Sequence, residues 1–309
     1  MIIFSGGTGT PKLLNGLRKV IPEQDITVVV NTAEDLWVSG NLVTPDIDTV
    51  LYLFSDRIDL KKWWGIEGDT FRTHETMKSL GHRERMMLGD LDRATHIMRS
   101  DYLRDGHTLS EAIMMLSESM GIKAKILPMS DDPVSTTIVT PSGKRHFQDF
   151  WIGKRGEPEV LDVFQEGINR ASISPAVLRA LENDDKVLIG PSNPITSIGP
   201  IAGLPGMVDI LRKKKVIAVS PIIGKEPVSG PAGKLMHARG IDVSSAGVAS
   251  YYGEFLDTFI IDEQDTADAA VFENMACKVV SADTMMKSVD ISVDLSKLIL
   301  REFNQICLS

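Results

Sequence analysis

Cysteine is nearly absent. The 309-residue chain has two, Cys277 and Cys307, both near its C-terminus. Two cysteines make neither a disulfide framework nor a zinc site, so both are expected as small core residues. The six histidines are scattered, with no ligand-like pair on one helix face. No apolar run is long enough to span a bilayer. A buried first strand at residue 2 leaves no room for a signal peptide, so a cytoplasmic protein with no membrane association is expected. Positive charge is in deficit: 33 Lys and Arg stand against 42 Asp and Glu, a net charge of −9. That argues against a protein that coats nucleic acid. The short basic run at 212–215 ends a predicted helix, where it complements the dipole. Repeats, low-complexity tracts and clear linkers are also missing.

Two familiar phosphate fingerprints are missing as well: neither the dinucleotide spacing nor the P-loop spacing is met. What stands at the N-terminus is Met1-Ile-Ile-Phe-Ser5-Gly6-Gly7-Thr8-Gly9-Thr10-Pro11-Lys12. An apolar strand runs into a glycine-rich turn, and Leu13, Leu14, Leu17 and Val20 then recur at helical spacing. Pro11 suits the first turn of a helix. The glycines allow positive φ and close approach to a ligand. The free N–H groups at the helix start favour an anion, most often phosphate, and Lys12 offers a point charge. The plainer account is a tight strand-to-helix turn with no ligand.

Ile26 to Asn31 reads as a second buried strand, completing a βαβ unit and implying a parallel sheet. Ligands on such sheets sit beyond the carboxyl ends of the strands, where Asn31-Thr32-Ala33-Glu34-Asp35 and Val38-Ser39-Gly40-Asn41 fall. Thr44-Pro45-Asp46-Ile47-Asp48 looks like a helix start. Its two carboxylates either suit the first helical turn or hold Mg²⁺ and take a proton from a hydroxyl. Residues 57–121 read as a helical insertion, with helices at 73–80, 90–104 and 109–120. Asp90 and Asp92 fit a helix N-terminus, and His96 is expected to be packed or hydrogen-bonded. Strands are expected at 124–129, 136–139 and 146–151, the last two joined as a hairpin, with a helix at 174–183 and C-terminal helices after 262. A second motif, Lys186 to Ile198, again takes an apolar strand into a Gly/Pro/Ser/Asn turn that starts a helix. Two such turns at one sheet edge can grip a nucleotide diphosphate.

The fold class is therefore α/β: a Rossmann-like, mostly parallel sheet with helices on both faces and a helical insertion. The core takes 1–56 and 122–309; the insertion takes 57–121 and covers the acceptor site.

In this order, Ser5-Gly6-Gly7-Thr8-Gly9 with Lys12-Leu13-Leu14, Val29-Val30-Asn31-Thr32 with Asp35, Thr44 to Thr49, Leu88-Gly89-Asp90, Ala94-Thr95-His96, Gly190 to Pro194 and Ser245 to Ala249 resemble the 2-phospho-L-lactate transferase family of coenzyme F-420 biosynthesis. The resemblance covers nearly the whole chain. It implies transfer of a 2-phospholactyl group from lactyl-2-diphospho-5'-guanosine to the ribityl hydroxyl of the deazaflavin FO, giving GMP, with Mg²⁺ as cofactor. Whether the three-carbon donor derives from phospholactate or phosphoenolpyruvate stays open. The resemblance implies that Gly6, Gly7, Thr8, Gly9, Lys12, Asn31, Asp35, Ser39, Gly190, Ser192, Asn193 and Ser197 hold the nucleotide. Asp48, Trp64, Gly89, Asp90 and Thr95 would meet the acceptor. Asp46 and Asp48 would be the catalytic and metal-binding carboxylates. A homodimer is expected on base rate.

Two positions depart from the pattern. Leu91 stands where the family usually has a basic residue, with Arg93 two positions on, and Ser229 stands where lysine is common. The rival expectation is a non-catalytic UDP-sugar or dinucleotide-binding regulator of the gluconeogenesis-factor-like family.

Overall fold

Short runs rich in Ile, Val and Leu are the mark of strands in a covered parallel sheet. Seven of them pair in one parallel sheet in the computed structural model: β1 (Ile2–Ser5), β2 (Thr27–Val30), β3 (Lys125–Pro128), β4 (Lys186–Ile189), β5 (Lys215–Val219), β6 (Thr258–Asp262) and β7 (Lys278–Ala282). Their order is β7-β6-β5-β4-β1-β2-β3. Alternate residues feed two cores, Phe4 and Val29 on one side, Ile3, Val28 and Val30 on the other. The described residues are 1–228, 230–268, 272 and 277–306; Ser229 and Cys307 lie outside them.

The strand order reverses between β1 and β4, which are direct neighbours with Phe4 beside Ile189. In an open parallel sheet a ligand crevice opens at such a reversal, beyond the carboxyl ends. The two turns marked in the sequence leave the sheet at this point. α1 (Gly9–Leu17) follows the first turn. The C-terminal helix Val289–Gln305 packs on α1 so closely that a Cβ at Gly16 would collide with the backbone of Ser292.

α2 (Pro45–Phe54) starts as expected, with Asp46 and Asp48 in its first turn. The segment 57–121 carries α3 (Arg72–Ser79), α4 (Asp90–Arg104) and α5 (Leu109–Ser119). A capping box at Thr108 and Glu111 starts α5.

Two expectations change and one turn gains flanking strands. Residues 146–151 are not a strand: Gly143–His146 pairs with Ser135–Thr140, and a helical turn Asp149–Gly153 follows. Phe147 and Phe150 are both buried, a spacing of three that suits a helical turn and not a pleat. Residues 36–43 form a hairpin, Leu36–Val38 against Asn41–Val43. Its two-residue turn, Ser39-Gly40, has φ of 49° and 81°, the left-handed pair that matches strand twist. The stretch after residue 262 is not only helical, because β7 adds an edge to the sheet. Among the described residues no helix is long and apolar enough to cross a membrane.

Candidate active site

The first turn and the second turn are bolted together. Ser192 Oγ accepts the amide hydrogens of Gly6 at 3.0 Å and Thr10 at 3.4 Å and pairs with Thr10 Oγ1 at 2.7 Å. A Cβ on Gly9 would overlap the carbonyl oxygen of Pro191, and one on Gly190 would overlap the Thr10 side chain. Close approach is thus the reason for glycine here. None of Gly6, Gly7 and Gly9 has positive φ, so the expected left-handed geometry is corrected.

Beside the turns lies a cavity of about 510 Å³, within the range of small-molecule sites. Its polar lining includes Gly7, Thr8, Glu34, Asp46, Asn193, Thr196 and Ser197. Asn193 caps the helical turn Pro194–Ile198 by accepting from Ile195 and Thr196. Its apolar lining includes Trp63, Trp64, Met86, Met87, Phe147, Trp151 and Ile152. Among the described lining residues there is no Lys or Arg.

The floor is acidic and is built by two helices. α2 supplies Asp46, Asp48 and Tyr52; α4 supplies Asp92, His96 and, beneath them, Arg99. Positions 92, 96 and 99 fall on one helical face. Arg99 is fully buried and grips both oxygens of Asp48, at 2.5 and 3.1 Å. It also donates to the carbonyl of Leu42 in the hairpin. Thr44 adds its amide and hydroxyl to Asp48, each at 3.2 Å. His96 Nε2 stands 3.1 Å from Asp48 Oδ2 and 3.1 Å from Asp92 Oδ1. Tyr52 donates its hydroxyl to Asp92 Oδ1 at 2.6 Å.

Charge follows from these partners. Burial pushes the Asp48 carboxyl up, but Arg99 and His96 outweigh it and hold it well below the usual carboxylate range. Burial works against the His96 imidazolium, yet Asp48 and Asp92 raise its pKa to about 9. Asp46 has no such cation. Burial lifts its pKa to about 6 against the hydrogen bonds of Asn31 and the Gly7 amide. Burial also lifts Glu34 well above its ordinary value, and the charge of Asp46 adds to that.

Of the residues named from sequence, Gly7, Thr8, Asp46, Asp48, Trp64, Asn193 and Ser197 line the cavity. Gly6, Gly9, Gly190 and Ser192 build the joint between the turns. Asn31 holds Asp46 through its amide at 2.9 Å. Lys12 lies over the Trp63 ring at 5.8 Å. Asp35 and Thr95 are outside the lining. Ser39 is on the exposed hairpin turn, where it donates to Glu84 at 2.6 Å.

Gly89 and Asp90 sit in a reciprocal cap. Asp69 accepts the amides of Leu91 and Asp92 at the start of α4. Asp90 accepts those of Arg72 and Thr73 at the start of α3. A Cβ at Gly89 would overlap the Asp69 carboxylate. Arg93 pairs with Glu84 and does not line the cavity. The residues that sequence reasoning missed are Glu34, Tyr52, Asp92, Arg99, Gln148 and Trp151, together with the place of His96. The signal for three of them was the polar stripe 92, 96, 99 running along the inner face of a predicted helix.

Comparison with known proteins shows the family. The family model described as 2-phospho-L-lactate transferase CofD matches residues 1–299. A protein named 2-phospho-L-lactate transferase from Methanosarcina barkeri is 64% identical over 306 residues, covering 99% of both chains. Its namesake from Methanococcoides burtonii is 66% identical over 306 residues, 99% of this chain and 100% of the relative. One from Methanocaldococcus jannaschii is 46% identical over 302 residues, 96% of each. Among solved structures, a UPF0052 family member from Bacillus halodurans superposes with a TM-score of 0.66, covering 97% of both chains, at 16% identity. That last likeness speaks for the fold alone. The match runs through both turns, the hairpin, α2 and α4, the elements that build the cavity, and the chain belongs to the 2-phospho-L-lactate transferase family.

Proposed function

We propose that this enzyme moves the 2-phospholactyl group of lactyl-2-diphospho-5'-guanosine onto the ribityl hydroxyl of the deazaflavin FO, releasing GMP and giving coenzyme F-420-0. The observation that carries the reading is a single cavity lined both by the two turns and by large apolar side chains. The turns contribute Gly7, Thr8, Asn193, Thr196 and Ser197; the apolar lining includes Trp63, Trp64, Met86 and Met87. The hydroxyls and amide side chain of the turns suit a diphosphate, the tryptophans and methionines a flat apolar ring. The acidic floor between them is where a polyol chain would lie.

Mg²⁺ is part of the proposal. The residues fit it in kind: Glu34 and Asp46 are buried carboxylates that both line the cavity, and Mg²⁺ takes oxygen ligands. In this arrangement Asp48 is the poorer ligand, since Arg99, His96 and Thr44 already occupy its oxygens. Asp46 with Glu34 would hold the ion. Bound there, it would neutralise the diphosphate and the phosphate leaving as GMP, charge for which the lining offers no Lys or Arg. The chain's own part is to align two substrates, itself a large share of the rate.

The test is direct. Incubation with the guanosine donor, FO and Mg²⁺ is expected to release GMP and phospholactyl-deazaflavin in equal amounts. Nucleotide binding without GMP release at saturating Mg²⁺ would leave the ligand-binding regulator standing instead.

A further inference from the structure

Two carboxylates that flank His96, Asp48 and Asp92, both line the cavity, and they differ in what is left to offer. Asp48 has five donors on it: two from Arg99, two from Thr44 and one from His96. A carboxylate has about four lone-pair sites, so Asp48 has none to spare. Asp92 Oδ1 is engaged by Tyr52 and lies against His96. Among the described residues nothing donates to Asp92 Oδ2. The side chain is 17% exposed and lines the cavity. Its backbone is fixed by the Asp69 cap at 3.0 Å, so the carboxylate is held from both sides.

We propose that Asp92, through Oδ2, is the catalytic group that binds the attacking hydroxyl of the acceptor and takes its proton. Asp48 is then a positioning residue that anchors His96 and Arg99 under it. This rests on the transferase reading above. In the step, the hydroxyl oxygen bonds to the phosphorus bearing the lactyl group. The bond from that phosphorus to the bridging oxygen breaks, and GMP leaves with the electron pair. The hydroxyl proton goes to Asp92 and then to water. The plainer account is that Asp92 only decorates the first turn of α4 and satisfies Tyr52.

Asp92→Asn separates the two, because the amide oxygen still accepts from Tyr52 while a base is lost. GDP affinity by calorimetry and FO affinity by deazaflavin fluorescence are expected to stay within about threefold of wild type. Turnover is expected to fall about 100-fold or more at saturating FO, the usual weight of a general base. Asp92→Ser serves the same comparison should the first variant misfold. Turnover within about threefold of wild type would overturn the proposal. So would loss of GDP binding in step with turnover, which marks a structural role. Wild-type protein that releases no GMP would sink the transferase reading and this inference with it; normal wild-type turnover with an undiminished Asp92→Asn sinks the inference alone.

Discussion

Arg99 of α4 reaches into the sheet domain and holds both carboxylate oxygens of Asp48 of α2, with no part of the guanidinium exposed. The pair ties the helical segment to the core directly below the cavity. The same guanidinium holds the Leu42 carbonyl, so the hairpin, α2 and α4 share one buried charge.

Breaking that pair from one side leaves an ion without its partner in a dry interior. Arg99→Met and Asp48→Asn are each expected to destabilise by about 3–5 kcal/mol. Replacing both, Arg99→Met with Asp48→Leu, is expected to lose less than the sum of the two single changes. Urea unfolding of the three variants checks this, and simple additivity would show that the two groups do not act as a unit.

His96 sets a pH dependence. Its pKa is raised from 6.5 to about 9 in the fold, so the folded state binds the extra proton more tightly than the unfolded chain. The stabilisation is complete below pH 6.5 and is lost as pH rises to about 9. Unfolding free energy is expected to fall by about 3 kcal/mol or slightly more across that window, and His96→Gln is expected to flatten the slope. Equal slopes for the two proteins would refute the assignment.

Gly9 is the tightest point of the joint between the turns, because a Cβ there meets the backbone of Pro191, which cannot swing aside. Gly9→Ala is expected to cost about 1–3 kcal/mol and to weaken GDP binding about tenfold or more. Gly40→Ala is the control: its φ of 81° makes it costly, yet nothing lies within 4 Å of the added Cβ. It is expected to destabilise with GDP affinity intact. Calorimetric titration with GDP separates the two.

What the sequence showed, and what it hid, follows from the range of the interactions. The strands at 2–5, 27–30, 125–128 and 186–189 were legible because apolar runs are local. The two turns were legible because glycine and proline mark local geometry, and the parallel rule placed them on one edge. The capping role of Asp90 was hidden because its partners, the amides of Arg72 and Thr73, are 17–18 residues away. Nothing local distinguishes an acid that caps its own helix from one that caps another. Arg99 was missed because a buried arginine is rare, and its reason, Asp48, lies 51 residues upstream. The part Ser192 plays as a bolt between turns was equally hidden, because it depends on Gly6 and Thr10.

Asp46 gives the sharpest separation between folding and binding. Its folded pKa of about 6 is raised by burial above the ordinary 3.8, so ionising it costs stability as pH rises through 6. Asp46→Asn removes that cost while its amide oxygen still accepts from Asn31, and the variant is expected to be more stable than wild type at pH 8 by about 1–3 kcal/mol. On the proposed reading it also removes a Mg²⁺ ligand. Mg²⁺-dependent GDP binding, followed by calorimetry, is expected to strengthen in the wild type as pH rises through 6 and to be lost in Asp46→Asn. A variant that is stabilised yet binds GDP with Mg²⁺ as well as wild type would leave Asp46 a buried acid of the scaffold and move the metal elsewhere.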